Sequence, residues 1–510
     1  MSKNNTSKFV CTILCSGLAI AINYLISMAL TPYITKTMGT DAYGFISLAK
    51  TFSQYAIIFT AGLNSYAARF ISLAHHKGNE NDEKKYFNSV FFANVFLSTV
   101  ILFISIFIII FLDNLINIPP ELISQVKILF LFNFVNYLVL STGTCFSVYG
   151  HIQNKLAVVN LVKIFAYITE ALALVLMFLV FPAKLYYVGL ALLLSSVCIF
   201  SCDALICKKE LPVLKINYKY FSLSAVKELL ISGIWNSINS LGNILNTGLD
   251  LLITNIMLTA TAMGQLSIVK TLSTIFVTLF QTIATPWQPI LLKKYSSKDI
   301  DGTVLSFKHS IKITAFFSNI LFAGLFVYGI PYFRLWTPEQ NENLLYKLLV
   351  ITLLGMLIEG PIYPLLYTYT LTLKNVIPCF VTIGSGLLNI VGMYLMLKYT
   401  SMGVYAIVLT TSVLAWLVYF VFTPLYTSYC LNIKWYTFYP TLLRVLIAGL
   451  ACVGTCSVVN LVYTPNTWIS LILSAFVCVI LCVPIYALMV ISKSEFKTAI
   501  AKIVKRRNAI

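Results

Sequence analysis

Runs of twenty or more apolar residues recur along almost the whole chain, broken only by short polar connections. A helix that crosses a bilayer needs about 20 such residues, so each run reads as a helix in lipid. About fourteen spans are predicted, the first eight at roughly 10–34, 43–72, 86–112, 122–149, 156–181, 185–207, 226–257 and 264–292. The rest fall at roughly 309–335, 343–372, 377–398, 403–427, 439–463 and 468–492. The runs are continuously apolar rather than alternating, which predicts helices and not a barrel. Connections such as Pro182-Ala183-Lys184 and Thr464-Pro465-Asn466-Thr467 are very short, and no loop is long enough to fold as a separate domain. The expected class is therefore all-α and integral to a membrane.

Composition agrees. Of 510 residues, 59% are hydrophobic and only 10% are charged, too few charges to cover a water-soluble protein of this size. The net charge of +18 is mostly topology. With an even number of spans both termini share one side, and that side collects Lys77, Lys84, Lys85, Lys155, Lys208, Lys209, Lys293, Lys294, Lys298 and the tail lysines. The opposite side has Lys36, Lys127, Lys184, Arg334, Lys347 and Lys398, so both termini are expected to be cytoplasmic. A nucleic-acid partner would need a basic domain with room to fold, and none is present. The first span lacks a small-x-small cleavage pattern and is expected to be retained.

Smaller features add little. In the basic tail 493–510, Phe496, Ile500, Ile503 and Val504 share a helical face that could lie on the anionic inner leaflet; a solvated tail is the plain alternative. The twelve cysteines read as small apolar residues, not as a disulfide frame or a metal site. His75-His76, beside Lys77 and Glu80, could touch a metal, but a solvated loop explains them as well. No cofactor motif is evident. No Walker motif is present, so ATP is not expected to drive this chain.

The informative signal is a repeat. Ala42-Tyr43-Gly44-Phe45-Ile46-Ser47-Leu48-Ala49-Lys50-Thr51 is echoed 220 residues later as Ala262-Met263-Gly264-Gln265-Leu266-Ser267-Ile268-Val269-Lys270-Thr271. The same offset pairs Asn23 with Asn243, Ser53 with Ser273 and Lys127 with Lys347, and brings Asn154-Lys155 onto Lys374-Asn375 in reversed order. After a shift of six, Gly189 meets Gly403. Six helices separate the copies, so the halves run the same way through the membrane, a parallel repeat about an axis along its normal. Residues 1–207 would form one lobe and 208–434 the other, with helices in 435–492 appended and the tail 493–510 beyond.

A lysine near the bilayer centre costs roughly 2.5–3.5 kcal/mol on insertion scales, so Lys50 and Lys270 are candidate cavity cations. Asp250 and Lys270 each lie ten residues from the turn near 260 and are expected to pair. The equivalent of Asp250 is Leu30, which leaves Lys50 as the cation without a matching acid in its own hairpin. Lys163 and Glu170, seven apart on one face, either line the cavity together or bond locally. Arg69, near the inner end of its span, either functions there or snorkels to the headgroups. Glu359 precedes Gly360-Pro361-Ile362-Tyr363-Pro364, where two prolines break helix hydrogen bonds. That carboxyl either couples a proton or cation to a gate at Gly360, Pro361 and Pro364, or satisfies a freed backbone group. Pro286 and Pro289 predict a bend, as a hinge or a fixed kink.

Taken together, fourteen spans, a six-plus-six repeat, the paired Gly-x-x-Ser-x-x-Lys-Thr openings and two appended spans resemble a polysaccharide flippase. That group lies within the multidrug/oligosaccharidyl-lipid/polysaccharide exporter superfamily. The resemblance spans nearly the whole chain, though its motifs are diffuse. It implies transport of undecaprenyl-pyrophosphate-linked oligosaccharides across a bacterial inner membrane by two rocking lobes, for O-antigen, capsule or exopolysaccharide. It also implies a bilayer-embedded protein working beside a polysaccharide polymerase and glycosyltransferases. By position, Lys50 and Lys270 match the family's cavity cations, with Lys163 and Arg69 as weaker matches. Tyr55, Tyr363, Tyr367 and Tyr369 could stack on sugars.

Rival readings are a flippase for the peptidoglycan precursor and a proton- or sodium-coupled multidrug exporter of the same superfamily. The exporter typically has twelve spans and an acid-dominated cavity, unlike the lysines here. A membrane polymerase or ligase would need a sizeable outer loop, and the longest here are only about ten residues.

Overall fold

The computed structural model describes residues 3–491, so the tail reading at 493–510 lies outside the described residues. Every regular element there is a helix. Thirteen helices are long and apolar enough to cross a membrane. The remaining predicted span, 226–257, takes another form. It runs as helix Leu223–Asn243, a π turn at Ile244–Gly248 and helix Asp250–Met257. Its polar residues Asn236, Ser237, Asn239, Ser240, Asn243, Asn246 and Thr247 dilute the apolar run. A π turn also releases main-chain carbonyls from the regular ladder. The Gly248 carbonyl accepts from the Tyr55 hydroxyl at 2.7 Å, and the Asn246 carbonyl accepts from the Asn389 amide at 2.7 Å.

Contacts divide the chain into two compact units, residues 1–268 with 379–394, and residues 269–378 with 395–510. In the first unit, helix Thr40–His76 packs along Leu223–Asn243, and Leu156–Val180 packs against both Lys3–Met38 and Tyr186–Glu210. Small residues let backbones meet. A Cβ on Gly44 would lie 2.9 Å from Gly264 Cα, and one on Gly264 would lie 2.2 Å from the Thr40 carbonyl oxygen. Gly44 and Gly264 are equivalent positions of the repeat, and residues related by a twofold meet in this way at its axis. Asn246 ties the π turn down: its amide donates to Thr382 O at 2.7 Å and Gly242 O at 2.8 Å, while Ser385 donates to its Oδ1 at 3.1 Å. Interhelical side-chain bonds in membranes average about 0.6 kcal/mol, so Asn246→Leu should destabilise by about 1 kcal/mol over the two that cross to Thr382 and Ser385. A thermal midpoint equal to wild type would remove that role from Asn246.

The second unit is built on helix Ile300–Trp336, which packs against Glu342–Ile362, Tyr439–Val462 and Trp468–Val490. Cys452 and Cys456 face Cys478 and Cys482 there, all four buried, so these thiols are spaced in pairs and let the last two helices approach closely. The helix that starts the unit ends at Ala284, eight residues before the predicted 292. Pro286 caps a separate short helix, Trp287–Ser296, and Pro289 stands in its first turn, where a missing N–H costs nothing. The proline pair therefore ends one helix and starts another.

The repeat reaches the backbone of the connections. Gly78 and Lys298, 220 apart, both adopt positive φ (70° and 59°). Each is followed by an N-cap: Asn79 Oδ1 accepts from Asp82 N at 3.1 Å, and Asp299 Oδ1 from Gly302 N at 2.8 Å. Asn154 and Leu373 also share positive φ (52° and 57°), and the next residues, Lys155 and Lys374, donate backwards to Gly150 O and Tyr369 O. That is one helix-ending motif used twice. It aligns Lys155 with Lys374 directly, so the reversed order seen at an offset of 220 becomes a direct match at 219. Asp113, in the connection between two spans, pairs with Lys127 at 2.7 Å, which holds that carboxyl below its ordinary pKa.

Candidate functional site

Lys50 lies half-buried on helix Thr40–His76. The charge of Lys50 is felt at the Glu170 carboxyl, on helix Leu156–Val180. Glu170 is 5% exposed, on the face of Leu156–Val180 that meets its neighbours. Tyr167, one turn earlier, and Tyr24 from helix Lys3–Met38 complete this group.

Lys163 is exposed, and its charge is felt at buried Asp203 of helix Tyr186–Glu210. Seven residues are two turns, about 10 Å along the helix axis. At that separation Lys163 and Glu170 share a face yet meet different neighbours. Asp203 accepts from the Tyr149 hydroxyl at 2.9 Å and fastens the turn Phe146–Ile152 to the bundle. Sequence reasoning passed over Asp203, although an acid inside an apolar run was the signal available. Arg69 is exposed, with its guanidinium 5.8 Å from the ring centroid of Tyr66, one turn away on its own helix. Asp250 is buried at the start of Asp250–Met257, and its field acts on Tyr55.

Lys270, Glu359 and the proline positions belong to the second unit. Lys270 is half-buried, one residue into that unit. Helix Glu342–Ile362 contains Pro361 and gives way to a tight turn at Tyr363–Leu366 that includes Pro364, so the predicted break is present. Glu359 accepts from the Tyr419 hydroxyl at 3.2 Å. Tyr419 stands in a second π turn, Leu417–Phe422, so two irregular helix segments are tied to each other. Gly360 allows close approach, since a Cβ there would lie 2.6 Å from Ser318 Oγ. His75 Nδ1 lies 3.0 Å from Glu83 Oε1, and among the described residues no group of three or more His, Cys, Asp or Glu side chains is placed to hold a metal.

A family model described as polysaccharide biosynthesis protein matches residues 11–294, more than half of the chain. The chain belongs to that family. It is 25% identical over 484 residues, 95% of either chain, to a Bacillus subtilis (strain 168) protein called uncharacterized membrane protein EpsK. Solved structures share the fold. The lipid II flippase MurJ, in an inward closed conformation, matches with a TM-score of 0.71 at 16% identity, over 93% of this chain and 99% of that one. An inward-facing multidrug resistance MATE transporter of the MOP superfamily matches with a TM-score of 0.62 at 14% identity, over 82% and 99%. A MOP transporter from Pyrococcus furiosus matches with a TM-score of 0.59 at 14% identity, over 83% and 96%. This member of the polysaccharide biosynthesis protein family therefore shares the fold of MurJ and the MATE transporters, with many helices apolar enough to cross a membrane.

Proposed function

We propose that the protein flips undecaprenyl-pyrophosphate-linked oligosaccharide repeat units from the cytoplasmic to the outer face of a bacterial inner membrane. The observation that carries this reading is the pair Lys50 and Lys270, at equivalent places in two copies of one sequence and half-buried in apolar helices. A pyrophosphate must shed water to cross, and ammonium groups in a low-dielectric cavity replace that hydration. In this scheme lobes 1–207 and 208–434 rock about the repeat axis, helices in 435–492 are appended, and both termini are cytoplasmic. Lys163 and Arg69 add positive charge, Asp250 and Glu170 balance it, and Glu359 with Gly360, Pro361 and Pro364 serves the gating helix. Pro286 and Pro289 act as a second hinge, between helices Ala260–Ala284 and Trp287–Ser296. Glycosyltransferases supply the substrate and a polymerase consumes it.

The test is translocation in proteoliposomes. A polyisoprenyl-pyrophosphate oligosaccharide in the outer leaflet should become protected from a membrane-impermeant sugar oxidant only when protein is present. Protection of the peptidoglycan precursor alone, or uptake of a cationic dye in place of either lipid, would replace this reading.

A further inference from the structure

We propose that Gln54 is a substrate-binding residue whose side-chain amide donates to the anionic head that Lys50 attracts one turn away. The inference rests on the flippase reading and adds to it a neutral group that holds phosphate oxygens.

Helix Thr40–His76 has sides of different character. One side is a contact line. A Cβ on Gly44 would lie 2.9 Å from Gly264 Cα, the Tyr55 hydroxyl donates to Gly248 O at 2.7 Å, and Gly62 N donates to Ser237 Oγ at 2.8 Å. Gly44, Tyr55 and Gly62 follow at steps of eleven and seven residues, three turns and two, so one face of the helix carries all three contacts. Phe59 stands on one flank of this line, apolar and 62% exposed. Lys50, Gln54, Ala61 and Ser65 follow on the other flank at steps of four, seven and four, with Ile57 among them. On that flank Gln54 and Ser65 are exposed and Lys50 is half-buried, and exposed Arg69 continues it one turn on. Five residues at 3.6 per turn rotate by about 140°, so Gln54 and Phe59 face nearly opposite ways.

The two flanks need different solvents. Gln54 lies eleven residues inside the predicted span 43–72, about 16 Å into a hydrocarbon core about 30 Å thick. An exposed amide at that depth is costly against lipid and not against water, whereas an exposed phenyl ring is at home in lipid. The Gln54 flank therefore faces a water-filled path, and the Phe59 flank faces lipid.

On that path Lys50 and Gln54 are neighbours, since residues four apart on a helix project side by side. The ammonium supplies charge, and the amide supplies two N–H donors without adding a second charge to an empty path. A pyrophosphate has oxygens enough for both. The other copy of the repeat lacks this reach. Its equivalent of Gln54 is Thr274, whose short side chain donates to its own helix at Lys270 O, 2.9 Å away.

Two measurements test the assignment. In membranes opened to both faces, Gln54→Cys, Ser65→Cys and Phe59→Cys are treated with a quaternary-ammonium methanethiosulfonate, and each position is read by peptide mass spectrometry. Positions 54 and 65 should react, 59 should not, and farnesyl pyrophosphate should protect 54. Labelling at 59 as fast as at 54, or none at 54, would overturn the path. Farnesyl pyrophosphate is then titrated against purified full-length protein. Gln54→Leu should bind about tenfold more weakly than wild type, as for loss of a hydrogen bond to a charged group. Gln54→Glu should bind more weakly still, because its carboxylate repels phosphate, and Lys50→Ala should bind poorly. If Lys50→Ala loses binding while both Gln54 variants match wild type, the role of Gln54 falls and the flippase reading stands. If Lys50→Ala binds like wild type and Gln54→Leu does not, Gln54 stands and the lysine reading falls. Equal thermal midpoints for wild type and Gln54→Leu keep the comparison on binding.

Discussion

Gly233→Val is expected to remove most of the folded protein from membranes. A Cβ at Gly233 would lie 2.0 Å from the Gly62 carbonyl oxygen, 2.6 Å from its carbon and 2.8 Å from Gly62 Cα. All three are main-chain atoms of helix Thr40–His76, so no side chain can turn aside. Relief requires the helices Thr40–His76 and Leu223–Asn243 to separate along a crossing that also carries the bond from Gly62 N to Ser237 Oγ at 2.8 Å. Overpacking costs about 1–3 kcal/mol where side chains can adjust, and a main-chain collision should exceed that range. Gly62→Ala is the control. Its Cβ would meet Ser237 Oγ at 2.9 Å, the movable end of a short side chain, and the cost should be smaller. Fluorescence-detected size exclusion of tagged protein measures both. A normal monodisperse peak for Gly233→Val would show that the crossing is looser than these distances require.

Lys50→Ala and Lys270→Ala should each lower surface polysaccharide in the native host by roughly tenfold or more, the factor set by about 1.4 kcal/mol of lost interaction with the substrate phosphates. Lipid-linked oligosaccharide should accumulate in parallel, because synthesis continues on the cytoplasmic side. Lys50→Arg and Lys270→Arg keep the charge and should retain part of the activity, although a planar fork does not reproduce an ammonium. Membrane levels of the variants must match wild type. Unchanged surface polysaccharide with greater sensitivity to cationic dyes would transfer the protein to the drug exporters. No change in either would take both lysines out of the transport path.

Much of the architecture was legible in the chain. Bilayer thickness is a one-dimensional constraint, so runs of twenty apolar residues had to become helices in lipid. The copies could be found because Gly44 and Gly264, and the two lysines six residues later, lie in matching strings. The connections at Gly78 and Lys298 then proved to share one backbone path. The break after Glu359 was visible because two prolines within four residues cannot both continue a helix.

Other features depended on tertiary packing. Helix 226–257 looked like one apolar run, and its π turn is held by bonds of Asn246, Asn389, Ser385 and Tyr55 between helices. Lys50 looked alone because its own hairpin holds Leu30, while the acid that feels its charge, Glu170, stands on a helix more than a hundred residues away in sequence. Lys163 and Glu170 share a face two turns apart, and the acid that feels the charge of Lys163 is Asp203, on another helix. The sequence alone thus determined which segments are helices in lipid and which repeat, because apolar length and order are properties of one chain read in one direction. Tertiary structure decided which tyrosines reach buried acids such as Glu359 and Asp203, because that depends on the rotation and depth at which helices pack, and composition leaves both open.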